Sequence, residues 1–158
     1  MVGRNERIIF LIIIIFLGCI KTSEKFTYDD VYVKFSIFGG SSASDWHRTE
    51  YILENNKISY IQIFKNGTVY YSDSGSVTDD EFKQLGREYV SLGIFKMQDR
   101  FERTDLMGPY PDAVLNVSID GKRKNILIQP YTEDFSSGSI QKMVFNLKRL
   151  AQNLQKTT

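Results

Sequence analysis

Between Val31 and Phe38 apolar and polar residues alternate, with Val31, Val33, Phe35 and Ile37 on one side and Tyr32, Lys34, Ser36 and Phe38 on the other. A period of two predicts a β-strand with one buried face. The glycine-rich run Gly39-Gly-Ser-Ser-Ala-Ser44 ends it as a turn. Asp45-Trp-His-Arg48 then reads as a surface connection with Trp46 tucked under the sheet, and Glu50 to Leu53 as a short extra strand or the end of that connection. Farther on, Ile58 to Lys65 and Thr68 to Ser72 are β-rich runs on either side of Asn66-Gly67. That pair predicts a type I′ hairpin, in which both central residues need φ > 0. Asp73-Ser-Gly-Ser76 reads as a loop.

At Thr78 the period changes. Thr78-Asp-Asp-Glu81 is a capping box, and Phe82, Leu85, Tyr89 and Leu92 fall on one stripe that Gly93 closes. This predicts an amphipathic helix over Asp79–Leu92. Ile94 to Pro111 is irregular, with Phe95, Met97 and Phe101 as core fillers and Gln98 to Asp105 solvated. Ala113 to Ile119 alternates again, turns at Asp120-Gly121 and returns from Lys122 to Gln129, where Pro130 stops it. Ser136 to Ser139 offers a cap, and Ile140, Met143, Val144, Leu147, Leu150, Ala151 and Leu154 mark a helix to about Gln155. The expected fold is α+β: one strand followed by two ββα units, giving an antiparallel sheet of about five strands with two helices on one face.

Ahead of this domain, assigned to residues 31–156, stand a short polar tether (21–30) and an apolar block within residues 1–20. Ile8 to Ile20 follows Arg4 and Arg7; as a helix it would cover roughly 20 Å, less than the roughly 30 Å hydrocarbon core. The charged start, apolar middle and Gly18 fit a secretory signal. Phe16-Leu-Gly-Cys19 resembles the lipobox of prokaryotic lipoproteins, which implies lipidation at Cys19 and attachment to the outer face of a membrane. An uncleaved signal anchor and a plain secretory signal are the alternatives.

Composition narrows the function without fixing it. Twenty Lys+Arg against nineteen Asp+Glu leave no basic footprint for nucleic acid. One cysteine makes no intrachain disulfide, so stability rests on packing, supplied by 11 Phe and 9 Tyr. The loop at Gly39 lacks both the P-loop and the dinucleotide fingerprint, and no motif indicates a cofactor or a metal site. His47, the only histidine, could serve a hydrolase only with Asp45, Glu50 or Asp112 as partners. The expectation is therefore a non-catalytic binding module. Its candidate partner contacts are Tyr110 in the stiff Pro109-Tyr110-Pro111 loop together with Trp46 and His47. Lys122-Arg-Lys124 reads as a solvated hairpin tip or as a contact for anionic lipid headgroups.

Gly39-Gly40 after a first strand, the Tyr60 to Tyr71 hairpin, Gly93-Ile-Phe95 and Asp112 before the second hairpin together resemble an uncharacterised family of small prokaryotic envelope domains. A fainter similarity is to emfourin-type inhibitors of metalloproteases. The first implies an envelope-anchored module and the second a protein partner. Inhibition of a secreted protease is the alternative function, which insertion of residues 107–112 into a partner would support.

Overall fold

The computed structural model describes residues 25–39, 46–106, 108, 110–132 and 137–154. Its elements are β1 (Val31–Phe38), β2 (Trp46–Glu54), β3 (Lys57–Phe64), β4 (Val69–Ser76), α1 (Asp79–Ser91), a 3-10 turn (Ile94–Lys96), β5 (Arg100–Glu102), β6 (Asp112–Ile119), β7 (Lys122–Gln129) and α2 (Gly138–Leu154). The fold is α+β. Among the described residues the sheet has seven strands in the order β4-β3-β2-β1-β6-β7-β5, and β5 runs parallel to β7. Five antiparallel strands were expected; the additions are β2 and β5, and β4 extends through the Asp73–Ser76 stretch taken as a loop.

The turn chemistry explains one of these differences. Between β2 and β3 the chain turns at Asn55-Asn56, both in the left-handed region (φ 50° and 57°). Asparagine tolerates that region because its short side chain bonds locally. The type I′ geometry expected at Asn66-Gly67 is not there: Gly67 alone has positive φ (84°), Gly67 N donates to Phe64 O at 2.9 Å, and Phe64 N donates to Thr68 O at 2.9 Å. This is a three-residue hairpin with glycine at the left-handed position. Asp120-Gly121 has the expected turn, with φ 48° and 80°.

Cross-strand partners share a face, and the register sorts the sheet into two. Val31, Val33, Phe35, Leu53, Ile58, Ala113, Leu115, Val117, Ile119, Ile126 and Ile128 lie on the front and form one core with the buried sides of α1 and α2. Both helices cover this face. α2, which follows β6 and β7, lies over β2, β3 and β4; α1, which follows β3 and β4, lies over β1. Each ββα unit thus places its helix on the other half of the sheet. The helices meet where the buried Tyr89 hydroxyl donates to Met143 O at 2.8 Å, and burial pushes the Tyr89 phenol far above its usual range, so it stays a neutral donor. On the same face the Lys148 ammonium sits 5.6–5.9 Å from the rings of Tyr131, Tyr51 and Phe35 and donates to the Tyr131 hydroxyl at 3.2 Å. α1 opens on its capping box: Glu81 N donates to Thr78 Oγ1 at 3.2 Å and Thr78 N to Glu81 Oε2 at 3.0 Å.

The chain joins the sheet at the end where β1 begins, and there it is clamped. The Asp120 carboxylate accepts from Thr27 N (2.6 Å), Tyr28 N (2.9 Å) and Asp30 N (3.3 Å), while Asp120 N donates to Asp30 O at 2.8 Å. Burial pushes this carboxyl up, but the amides of Tyr28, Asp30 and Thr27 outweigh it and hold it below the usual value. Phe26 stacks on Phe95 at 5.7 Å, and Tyr28 packs against Gly86 of α1.

Gly86 lets α1 come that close. A Cβ there would lie 2.9 Å from Val31 Cγ2 and 3.1 Å from Tyr28 Cδ1. In an open helix Gly→Ala gains about 1 kcal/mol, whereas overpacking costs about 1–3 kcal/mol. Gly86→Ala is therefore expected to destabilise the domain by about 1 kcal/mol in urea unfolding; a gain in stability would show that α1 is not seated on Val31 as described.

Candidate functional site

Antiparallel order gives the sheet two unlike ends. Where β1 starts lie the tight Asn55-Asn56 and Asp120-Gly121 turns and the clamped residues 27–30. At the other end lie the longer connections 39–45, 103–111 and 130–137 and the β3–β4 hairpin. This loop-bearing end carries the residues singled out in the sequence. β1 separates them by a single strand: Phe38 pairs with Arg48 on one side and with Asp112 on the other. Gly39 then touches both neighbours. Its N–H donates to His47 O at 2.9 Å, and a Cβ on it would be 3.9 Å from Pro111 Cα. The Pro111 carbonyl in turn accepts from Tyr131 N at 2.7 Å, just after the cis Gln129–Pro130 peptide.

Two local features shape this end. Trp46 opens β2 opposite Phe64 instead of lying in a loop beneath the sheet, and the register slips between Trp46 and Arg48, so His47 is the extra residue of a β-bulge. Bulges bend a strand and re-aim its side chains, and His47 is exposed. Across the end, Tyr110 is 44% exposed, and its ring lies against Gly108, whose φ of 145° suits glycine alone and where a Cβ would be 3.3 Å from Tyr110 Cε2. Between them the Arg48 guanidinium lies 5.9 Å from the centre of the Phe38 ring. Pro111 and Asp112 are half-buried beside it. Pro109, Asp45 and Cys19 lie outside the described residues.

The carboxylates considered as partners for His47 have other engagements. Glu50 is on the back face of β2, only 4% exposed, with Lys34 Nζ at 2.8 Å and Arg48 Nε at 3.1 Å. Both approaches to Glu50 Oε1 are ionic without hydrogen-bond alignment. Asp112 accepts from Gln129 Nε2 at 2.8 Å, and Gln129 Oε1 accepts from Arg100 at 2.8 Å. Among the described residues no group of three or more His, Cys, Asp and Glu side chains is arranged to hold a metal ion. The arrangement supplies an exposed imidazole, a phenol, a guanidinium on a ring and a proline. These are groups that make contacts on a surface.

A hollow of about 1210 Å³ lies elsewhere, near the clamped end, lined by Tyr32, Glu54, Asn116, Ser118, Arg123 and Asn125 with Phe95 and Leu127. It is a trough of mixed polar and apolar lining that opens to solvent, and the residues at the loop-bearing end do not line it. The cations of the β6–β7 tip are also at the clamped end: Lys122 lies 5.1 Å from the Phe95 ring centre, Lys124 pairs with Asp99, and Arg123 is exposed. The Glu50 cluster escaped the sequence reading because Glu50 to Leu53 was read as a short extra strand or the end of a connection, with no partner strand assigned. A lysine and an arginine within two residues of an acidic position on paired strands would have revealed it only once that pairing was known.

Compared with known proteins, the chain matches no family model and no curated protein. Among the described residues no helix is long and apolar enough to cross a membrane.

Glu50 gives this end of the sheet a measurable property. Deleting a buried ion-pair partner costs about 3–5 kcal/mol when the remaining charge stays buried, but Lys34 and Arg48 keep 27% and 37% of their side-chain surface and can rehydrate. Glu50→Ala is expected to cost about 1–3 kcal/mol in urea unfolding. An unchanged midpoint would mean that the cluster holds nothing.

Proposed function

We propose that this chain is a non-catalytic interaction module, exported and held at the outer face of a membrane through a lipid on Cys19, and that it engages a protein partner with the loop-bearing end of its sheet. The observation that carries the reading is the opposition of the two ends. Residues 27–30 are fixed by Asp120 where β1 begins, whereas His47, Arg48, Tyr110 and Pro111 gather where it ends. Eight residues of β1 span about 26 Å. A domain tethered through residue 25 therefore has a clamped end beside its attachment and its aromatic contact groups directed away from it.

Arg123 and the two lysines at the clamped end would then lie beside the lipid headgroups. A second reading, inhibition of a secreted protease, draws its support from the loop before β6. There Gly108 seats the Tyr110 ring, and proline follows it.

The anchoring claim is tested in cells that express the full chain. Labelled palmitate is expected on the wild-type protein and lost from Cys19→Ser, and a membrane-impermeant maleimide is expected to label His47→Cys in intact cells. An unlabelled wild-type chain in the soluble cytoplasmic fraction contradicts the proposal.

A further inference from the structure

The sheet ends in two unequal edges. β5 is three residues long and carries Arg100 and Glu102, which pair with each other. Short, charged edges discourage further strand pairing. β4 is eight residues long, and among the described residues its only strand neighbour is β3. It contains no proline and no lysine, its single charge is Asp73, and its ladder with β3 is regular from Tyr71 to Ser76, the register slipping at Tyr70 between the Gln62 and Ile63 pairs. Val69, Tyr70 and Tyr71 are 54%, 64% and 40% exposed along it. An edge of this kind has a row of backbone donors and acceptors open to another strand, with aromatic side chains beside them.

We infer that β4 pairs antiparallel with β4 of a second copy, joining two sheets into one about a twofold axis centred on Ser72. Symmetry and charge fix the register. Paired residues share a face, and a twofold axis normal to the sheet preserves faces, so some residue of β4 must lie opposite its own copy. The two registers that overlap the Val69–Ser76 strand most fully centre on Ser72 or on Asp73. Centring on Asp73 opposes two carboxylates, which is destabilising. Centring on Ser72 opposes Tyr71 to Asp73 of the partner copy and leaves the bulged Tyr70 and Val69 alongside its Ser74 and Gly75, so each bulky residue meets a small or polar stretch. The only charge on the strand then faces a phenol. An edge of eight residues is well below the roughly 20–30 residues a side of a stable interface. The dimer is accordingly weak in dilute solution and favoured where copies are crowded, as on a shared membrane surface.

The test uses the full chain in detergent micelles with Cys19→Ser as background. Opposed residues of an antiparallel pair have Cα atoms about 4.5–5.5 Å apart, within disulfide reach. Under mild oxidation Ser72→Cys is expected to crosslink at least about threefold more than Ser59→Cys on β3 or Ser76→Cys at the strand end. A charge exchange keeps the result independent of cysteine reactivity. Ser72→Lys and Ser72→Glu should each weaken self-association about threefold or more, and an equimolar mixture should restore it. Equal crosslinking at all three positions, or single variants and mixture that associate like the wild type, overturns the proposal and leaves the edge to a strand of a different protein.

Discussion

One carboxylate sets how the segment before β1 meets the domain. Asp120 occupies the first central position of the β6–β7 turn with φ 48° and also gathers three amides of the segment leading into β1. The same residue makes the turn and receives the segment that leads into β1. Without its carboxylate, residues 25–30 would keep the exposed Asp29–Lys83 ion pair at 2.8 Å, the bond from Asp120 N to Asp30 O, and the aromatic contacts of Phe26 with Phe95 and of Tyr28 with Gly86. The aromatic contacts resist separation from the core but do little to fix a direction, because stacking tolerates sliding while a fork of three N–H donors on one carboxylate does not. The position of the loop-bearing end relative to residues 25–30 follows from this clamp.

The sheet is closed on one face and open on the other. Its front is sealed by α1 and α2 into a single core. Among the described residues no helix covers the back, and burial there depends on side chains shielding one another, as Lys34 and Arg48 do for Glu50. Such a face can carry charge deep within it because the flanking cations keep contact with water. The edges are equally unlike: charge and shortness guard β5, while little guards β4. The loop-bearing end and β4 are the two surfaces on which the proposed contacts rest.

How much of this could be read from the sequence depends on how local the signal is. The alternation of Val31 to Phe38 and of Ala113 to Ile119, the Thr78 capping box, Gly93 and both helical stripes needed only neighbouring residues, and all appear in the fold. β2 was obscured because Arg48 and Glu50 fall on its back face and Thr49 on its front, so no clean alternation marks it. The tail of β4 is serine, aspartate and glycine, which reads as a loop until β3 supplies its pairing partner. β5 is too short to leave a pattern. As for the site, Trp46-His47 and Tyr110-Pro111 were each recognised singly. Their meeting at Gly39 required knowing that β1 lies between β2 and β6, a pairing across some seventy residues that no local pattern encodes.

Amide exchange tests the clamp most directly. Asp120→Gly removes the carboxylate and leaves a residue that accepts the positive φ of the turn. Because the folded carboxyl is held below its ordinary value of 3.8, the clamp is complete well above that pH and is lost as pH falls through the folded value. At pH 6 the amides of Thr27, Tyr28 and Asp30 should lose protection about tenfold or more in Asp120→Gly, with Val33 and Leu115 unchanged. In the wild type the same three should lose protection on acidification below about pH 4, relative to intrinsic exchange. Equal protection of those three amides in both proteins at pH 6 would contradict the account.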